Sequence, residues 1–469
     1  MSARIFASVA SRIMNVLPAS LLLLLNLLFL SAAQAAVYGL NDWRNPAPHG
    51  LAPFQGNAAA VADLAADTVV LYPHPAADFA LEVKGKPRLY RNQQFVSAAV
   101  VLPVPVETVA QTVRTYTGYA AFFPKTTLSQ LKQQSGPHTL MKYHVRVDLP
   151  MPFPNVSEDI LAQHTIEADG SVSARLIEAP MDVGLARYEW FPLDARRTLL
   201  VFTTWTDLNS ASFMLRTILR AFPDIRIAVP YVGNGFLAEA FRNRLAPSPL
   251  PAAAALPAIP PMQELQWTPG RKQILAGLLT QGEVAFIHPP VWIRGAADKP
   301  TDLRFITAIG RVNAPLDITR QMTTDFARYP KIFSQVRKVK IHPTQNSGFD
   351  MDMKLGIGLG FLSLPVNISL SHSWSKDRSL FFKSFGGDLE QIQGYWRWEE
   401  ASVNSTTMLL HSAGEVGDHP PHFLKLAKYL PYNDFLPTMG AQLISLRKLE
   451  RWVAANQPGA VQPEEPLPE

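Results

Sequence analysis

The stretch FITAIGRVNAPLDITRQMTTDFARYPKIF, Phe305 to Phe333, has a counterpart 210 positions earlier, FVSAAVVLPVPVETVAQTVRTYTGYAAFF, Phe95 to Phe123. Without a gap, Pro105 falls on Pro315, Glu107 on Asp317, Tyr116 on Phe326, Tyr119 on Tyr329 and Phe123 on Phe333. The chain therefore reads as two copies of one module.

Each copy opens with alternating apolar residues, the pattern of a half-buried strand, then meets a proline followed by an acid, a helix-start signal. A short amphipathic helix follows and ends in an aromatic run broken by Pro124 or Pro330, so a second, shorter helical turn is expected. This opening, and the segment DFARYPKIFSQVRKVKI from Asp325 to Ile341 in particular, resembles the START-like (SRPBCC) superfamily of polyketide cyclases, coenzyme-Q-binding proteins and lipid-transfer domains. The resemblance implies an α+β class with two helix-grip domains, each a curved antiparallel sheet wrapped on a C-terminal helix around an apolar cavity.

Outward from the matched stretches, a helix at about 57–66 leads into VVLYPHP (69–75), and the same order recurs at 271–280 and VAFIHPP (284–290). Downstream, strands are expected in the first copy at 140–149, 157–167, 171–179, 186–192 and 198–206. In the second they are expected at 336–343, 348–358, 366–375, 379–387, 395–401 and 407–414. Trp190 and Trp398 occupy matching places if the offset shrinks to 208. Each copy closes with a long helical pattern, about 212–245 and 421–455, interrupted by Pro223 and Pro230 or by Pro431 and Pro437, which predicts kinked or split helices.

The first 35 residues combine Arg4 and Arg12, an apolar run from Leu17 to Leu30 and the small-residue end Ala33-Gln34-Ala35, the pattern of a cleaved signal peptide leading to a bacterial periplasm; an uncleaved anchor is the alternative, since the run is only slightly short for a span. Loss of the two arginines, with no acid in the segment, takes the formal charge from +5 to +3, too slight to imply nucleic acid. There is no cysteine, which excludes disulfides, thiol nucleophiles and cysteine metal sites. Residues 37–56, rich in Pro, Gly and Asn, read as a surface stretch. The expected order is thus signal peptide (1–35), first domain (57–246), a Pro/Ala-rich linker (247–269), second domain (270–455) and a disordered tail (456–469).

Ligand-facing candidates are the large apolar residues of the strands and closing helices. They are Tyr143, Tyr188, Trp190, Phe202 and Phe213 in the first copy, and Met351, Met353, Trp374, Phe382, Trp396 and Trp398 in the second. The residues alone leave open whether these enclose a ligand or fill a core. Two apolar hairpin regions, 148–156 and 354–366, read as gates touching a membrane or partner, or as loops buried between modules. His144, His164, His372 and His411 fall on strands, where an isolated histidine is an acid or base candidate or simply a hydrogen-bonded strand residue. His419 and His422 lack an obvious third ligand, and no metal, cofactor or catalytic residue set stands out. These features point to binding of a hydrophobic small molecule or lipid. A cyclase or dehydratase, or an envelope docking factor, is the alternative.

Overall fold

The computed structural model describes residues 40, 42–148, 155–212, 216, 219–220, 223–248, 257, 262, 265, 267–294, 300–344, 348–359, 362–416, 429 and 431–458. The segment 1–35, Phe213 and most of the hairpin 148–156 lie outside these residues, as does the greater part of 247–266.

The duplication is visible in the order of elements. After α1 (Ala58–Ala65), the first half runs β1 (Val69–Pro73), β2 (Ala77–Val83), β3 (Lys86–Gln93), β4 (Val96–Leu102), α2 (Val106–Arg114) and a 3-10 turn (Tyr116–Ala121). Six strands follow, β5 (Thr126–Ser135), β6 (His138–Val147), β7 (Val156–Ile166), β8 (Val172–Glu178), β9 (Gly184–Pro192) and β10 (Thr198–Thr206), and then helix α3 (Ile225–Leu245). The second half repeats this as α4 (Pro269–Leu278), β11 (Val284–Ile287), β12 (Val291–Arg294), β13 (Pro300–Leu303), β14 (Ile306–Val312), α5 (Leu316–Thr323) and α6 (Tyr329–Ile332). It ends with β15 (Val336–Pro343), β16 (Gly348–Leu359), β17 (Leu362–Trp374), β18 (Leu380–Gly387), β19 (Leu389–Ser402), β20 (Ser405–Val416) and α7 (Leu436–Asn456).

All strands except the two small hairpins join one antiparallel sheet of 16 strands among the described residues, in the order β15-β16-β17-β18-β19-β20-β14-β11-β1-β4-β10-β9-β8-β7-β6-β5. The halves meet where β1 pairs antiparallel with its own counterpart β11, Val70 opposite Phe286 and Leu71 opposite Ala285. Val70 and Val284 pair with Ala99 and Ile309, which the repeat alignment equates, so Leu71 faces its own repeat equivalent and the register lies across a local two-fold. Every residue of β1 and β11 is buried, because the central strands are covered on both faces. On one face Val61, Leu64, Leu275 and Leu278 of α1 and α4 pack with Val70, Tyr72 and Phe286. On the other, Tyr231, Phe241, Met439, Leu443 and Leu446 of α3 and α7 pack with Val69, Leu71 and Ala285.

Polar clamps are duplicated with the strands. Tyr119 donates to the Val113 carbonyl (2.7 Å) as Tyr329 does to that of Thr323 (2.9 Å). Thr198 and Thr406 each donate to the carbonyl after the first matched strand, Val104 and Ala314, at 2.8 Å. Asn234 of α3 donates to the Val96 carbonyl and Thr204, and Gln442 of α7 to the Ile306 carbonyl and Ser412. Buried His74 bonds Ser97 (2.6 Å) as buried His288 bonds Thr307 (2.8 Å). Each of these side chains makes at least one such bond, which lowers the cost of burying it.

The prolines of the closing segments mostly mark helix starts. Pro223 precedes α3 and Pro431 precedes α7, while Pro437 sits in the first turn of α7, where its missing N–H has no intrahelical partner to lose. Of these four prolines, Pro230 lies in the interior of a described helix. Buried charges hold α3 to the second half: Glu239 pairs with Arg304 and, at 2.6 Å, with Arg242, and Arg304 reaches Asp434 at 2.8 Å. Such a cluster is stable only while every member is paired.

Residues 42–56 lie over the sheet as a strap, largely exposed or half-buried, with Ala47, Leu51 and Phe54 buried and the Gly50 amide donating to Glu189 at 2.6 Å. A Cβ at Gly50 would lie 2.3 Å from Val201 Cγ1, so glycine alone lets the strap approach the sheet this closely.

Candidate functional site

In an antiparallel strand every second side chain faces the same side. In the first half, alternate residues of successive strands converge on one cavity of about 440 Å³: Tyr143, Val145 and Val147 of β6, Ile160, Ala162 and His164 of β7, and Ala174 and Leu176 of β8. Gly184, Ala186 and Tyr188 of β9 and Thr204 and Thr206 of β10 complete the sheet side. Gly233, Phe236 and Leu237 of α3 cover it, with Tyr119 and Phe123 from the end of the 3-10 turn and Lys125 and Pro431 also lining it. The space exists because Ala162, Ala174, Gly184 and Ala186 are small.

One polar group is set deep in this lining. The His164 ring is 3 % exposed, stacks on Tyr116 with centroids 4.2 Å apart and has Nε2 2.8 Å from the Tyr143 hydroxyl. Burial opposes an imidazolium here and pulls the His164 pKa down to about 3. The same desolvation raises Tyr143 well above the ordinary phenol range and Tyr116 to about 12. At neutral pH the group is uncharged.

The second half carries the same frame with a different interior. His164 pairs with Ala174 across β7 and β8, and His372 pairs with Phe382 across β17 and β18, so Phe382 stands where the first half has Ala174. By the same registers Leu370 replaces Ala162 and Met353 replaces Tyr143. The tip of the Phe382 ring lies only 2.7 Å from where a Cβ on Gly394, the counterpart of Ala186, would stand. His372 stacks on Phe349 at 4.5 Å, and Phe326 replaces Tyr116 beside it. At the registers where the first half has Ala174, Ala162 and Thr139, the second half thus carries the larger Phe382, Leu370 and Phe349.

The sequence-derived candidates divide accordingly. Tyr143 and Tyr188 line the cavity. Phe202 is fully buried behind it, edge-on to Tyr188 at 5.4 Å, and Trp190 is half-buried with the Arg114 guanidinium 5.2 Å above its ring. In the second half Met351, Phe382, Trp396 and Trp398 are buried in the apolar core with half-buried Met353 packed against it. Trp396 and Trp398 stack at 6.2 Å, Trp398 Nε1 donates to Thr323 at 3.0 Å, and Trp374 stays 39 % exposed. The residues not singled out as ligand-facing are His164, Tyr116, Tyr119, Phe236 and the alanines. The signal for them lay in the differences between copies, Tyr116 against Phe326 above all, rather than in bulky residues. No cluster of metal-ligating side chains occurs among the described residues.

No family model matches the chain, and neither does any curated protein. Among solved structures, the chain is similar to the di-domain ARO/CYC StfQ from the steffimycin biosynthetic pathway, at 9% identity and a TM-score of 0.24 over 76% of this chain and 97% of that one. It is also similar to the STAR-related lipid transfer protein from Xanthomonas axonopodis, at 16% identity and a TM-score of 0.24 over 36% of this chain and 98% of that one. A third similar structure is the Zhui aromatase/cyclase from a Streptomyces species, at 23% identity and a TM-score of 0.24 over 32% of this chain and 96% of that one.

Proposed function

We propose that this chain is a tandem START-like protein of helix-grip modules (57–246 and 270–455), and that it binds an apolar small molecule or lipid in its first half. We place it in the bacterial periplasm after removal of residues 1–35. The observation that carries the binding reading is the cavity of about 440 Å³ between β6–β10 and α3, a volume within the range of small-molecule sites. Its walls are mostly apolar, so transfer of an apolar ligand from water is favoured roughly in proportion to the area covered. The state of His164 speaks against that ring serving as a general base. A general base works best with a pKa near the ambient pH, and an imidazole pulled down to about 3 accepts a proton poorly.

Titration with the neutral dye N-phenyl-1-naphthylamine, read by its fluorescence, tests this. The expected result is one dye per chain, with Ala174→Phe, which copies the second half, weakening binding at least tenfold while circular dichroism stays native. The reading fails if the dye does not bind, or if Ala174→Phe binds it equally well.

A further inference from the structure

The face of the sheet turned away from the cavity carries a separate polar set on β6 and β7. Tyr143, Val145, Ile160 and Ala162 line the cavity, so the alternate residues His144, Ser157 and Asp159 stand on the other side. His144 Nδ1 lies 2.7 Å from Asp159 Oδ1, and His144 Nε2 lies 2.9 Å from the Ser157 hydroxyl. The second carboxylate oxygen of Asp159 takes the Lys142 ammonium at 2.6 Å. Hydrogen bonds from Lys142 and His144 hold the Asp159 carboxyl below its usual range, so at neutral pH it is ionised and can only accept. That sets the tautomer: neutral His144 carries its proton on Nδ1, and the bare Nε2 accepts from Ser157. Hydroxyl, imidazole and carboxylate are thus connected in the order that activates a serine nucleophile.

The second half shows that neighbouring strand residues of the same types need not connect in this order. His342, Asp352 and Ser369 also meet on its outer face, but Ser369 donates to the Asp352 carboxylate at 2.6 Å and His342 Nε2 lies 3.1 Å from the other oxygen. At the registers of His144, Ser157 and Asp159 the second half has Lys354, Pro365 and Asn367. Beside the first-half set, Leu128 of edge strand β5 pairs with His144 and is 41% exposed. Arg146, whose Nε donates to Asp148 at 2.6 Å, pairs with Ser157. Residues paired across antiparallel strands share a face, so an apolar side chain and a cation flank the hydroxyl.

We infer that the outer face of the first half is a second site, at which Ser157 is the nucleophile and His144 the general base for cleavage of a small carboxylic ester arriving from solution. Ser157 Oγ bonds to the ester carbonyl carbon while His144 Nε2 takes the hydroxyl proton, and the carbonyl oxygen becomes an oxyanion on the side of Arg146. Collapse of this adduct breaks the bond to the alcohol, which leaves with the proton from His144. Water then repeats the exchange, releasing the acid and restoring the serine. Asp159 and Lys142 are positioning residues that keep the imidazole in its working tautomer. The site is open to water, so its acceleration is modest and reactive esters are the probes to use.

Diisopropyl fluorophosphate and p-nitrophenyl acetate test this on the intact protein. The first loses fluoride to an activated serine, and peptide mass spectrometry locates the phosphoryl group. The expected result is a label on Ser157 and none on Ser369, with labelling abolished by His144→Gln. Ser157→Ala lowers the catalysed release of nitrophenolate by at least about tenfold. Asp159→Asn lowers kcat by a similar factor without raising KM, a split that mere loosening of the strand would not give. Circular dichroism stays native in all three variants. Absence of a label on Ser157, equal labelling of Ser157 and Ser369, or labelling unchanged in His144→Gln overturns the inference. So does nitrophenolate release undiminished in Ser157→Ala. None of these outcomes touches the cavity reading, because the two sites lie on opposite faces of the sheet.

Discussion

The two halves share their clamps and differ in their interiors. Tyr119 and Tyr329, Thr198 and Thr406, and Asn234 and Gln442 make the same bonds to the same places in each copy. Between those clamps, Ala162, Ala174 and Tyr143 face Leu370, Phe382 and Met353 in the equivalent registers. The frame of the module therefore depends on a few buried polar bonds and on strand pairing. Under the helix the two halves differ in side-chain volume at equivalent registers, without any change of topology. Larger apolar side chains at these positions gain contacts and apolar burial; small ones forgo them.

The largest effect is expected where the halves behave alike. His74, His288 and His372 have pKa values pulled down to about 4, and His164 to about 3, in each case chiefly by burial. A histidine whose folded pKa lies below its unfolded value contributes full stability above the unfolded value of about 6.5 and loses it as pH falls towards the folded one. Between pH 7 and 5 each should cost about 2 kcal/mol, several kcal/mol together. Urea unfolding at the two pH values checks this; equal stability would mean that these rings are charged in the native protein. Next in size, Phe382→Ala is expected to destabilise by about 3–5 kcal/mol and to open in the second half a site for N-phenyl-1-naphthylamine. A variant that loses stability yet still binds a single dye would show that volume is not what separates the copies. Smallest, Asn234→Ala and Gln442→Ala should each cost about 1–2 kcal/mol, and by similar amounts. A clear inequality in their unfolding midpoints would break the equivalence of the two clamps.

Most of the frame could be read from the residues. The central strands VVLYP and VAFI are unbroken apolar runs because both faces are covered, and the outer strands alternate because one face is wet. The hairpin β2–β3 was not legible, since KPRLYRNQ is nearly all exposed and carries no apolar period. Strand β5, TTLSQLKQQS, was missed for the same reason: it is an edge strand with polar side chains on both faces. The continuous sheet could not be seen either, because pairing of β1 with β11 depends on backbone groups that every sequence possesses. At the site, Tyr143 and Tyr188 were legible as bulky strand residues, but the cavity itself is made by Ala162, Ala174 and Ala186, and small residues give no signal of the room they leave. His164 was visible as a strand histidine. Its meaning came only with the Tyr116 ring stacked on it and the Tyr143 hydroxyl at 2.8 Å.

The register that sets Leu71 opposite its own repeat equivalent Ala285 has a consequence for how the chain can diverge. Two separate copies meeting through such a strand would form a symmetric dimer, in which any substitution is made twice. A change that filled one pocket would fill the other, and function would be lost in a single step. Joining the copies in one polypeptide keeps the partner strand permanently at hand and removes that constraint. The second copy is then free to exchange Ala for Phe and Tyr for Met and become the sturdier member, while the first keeps its hollow interior.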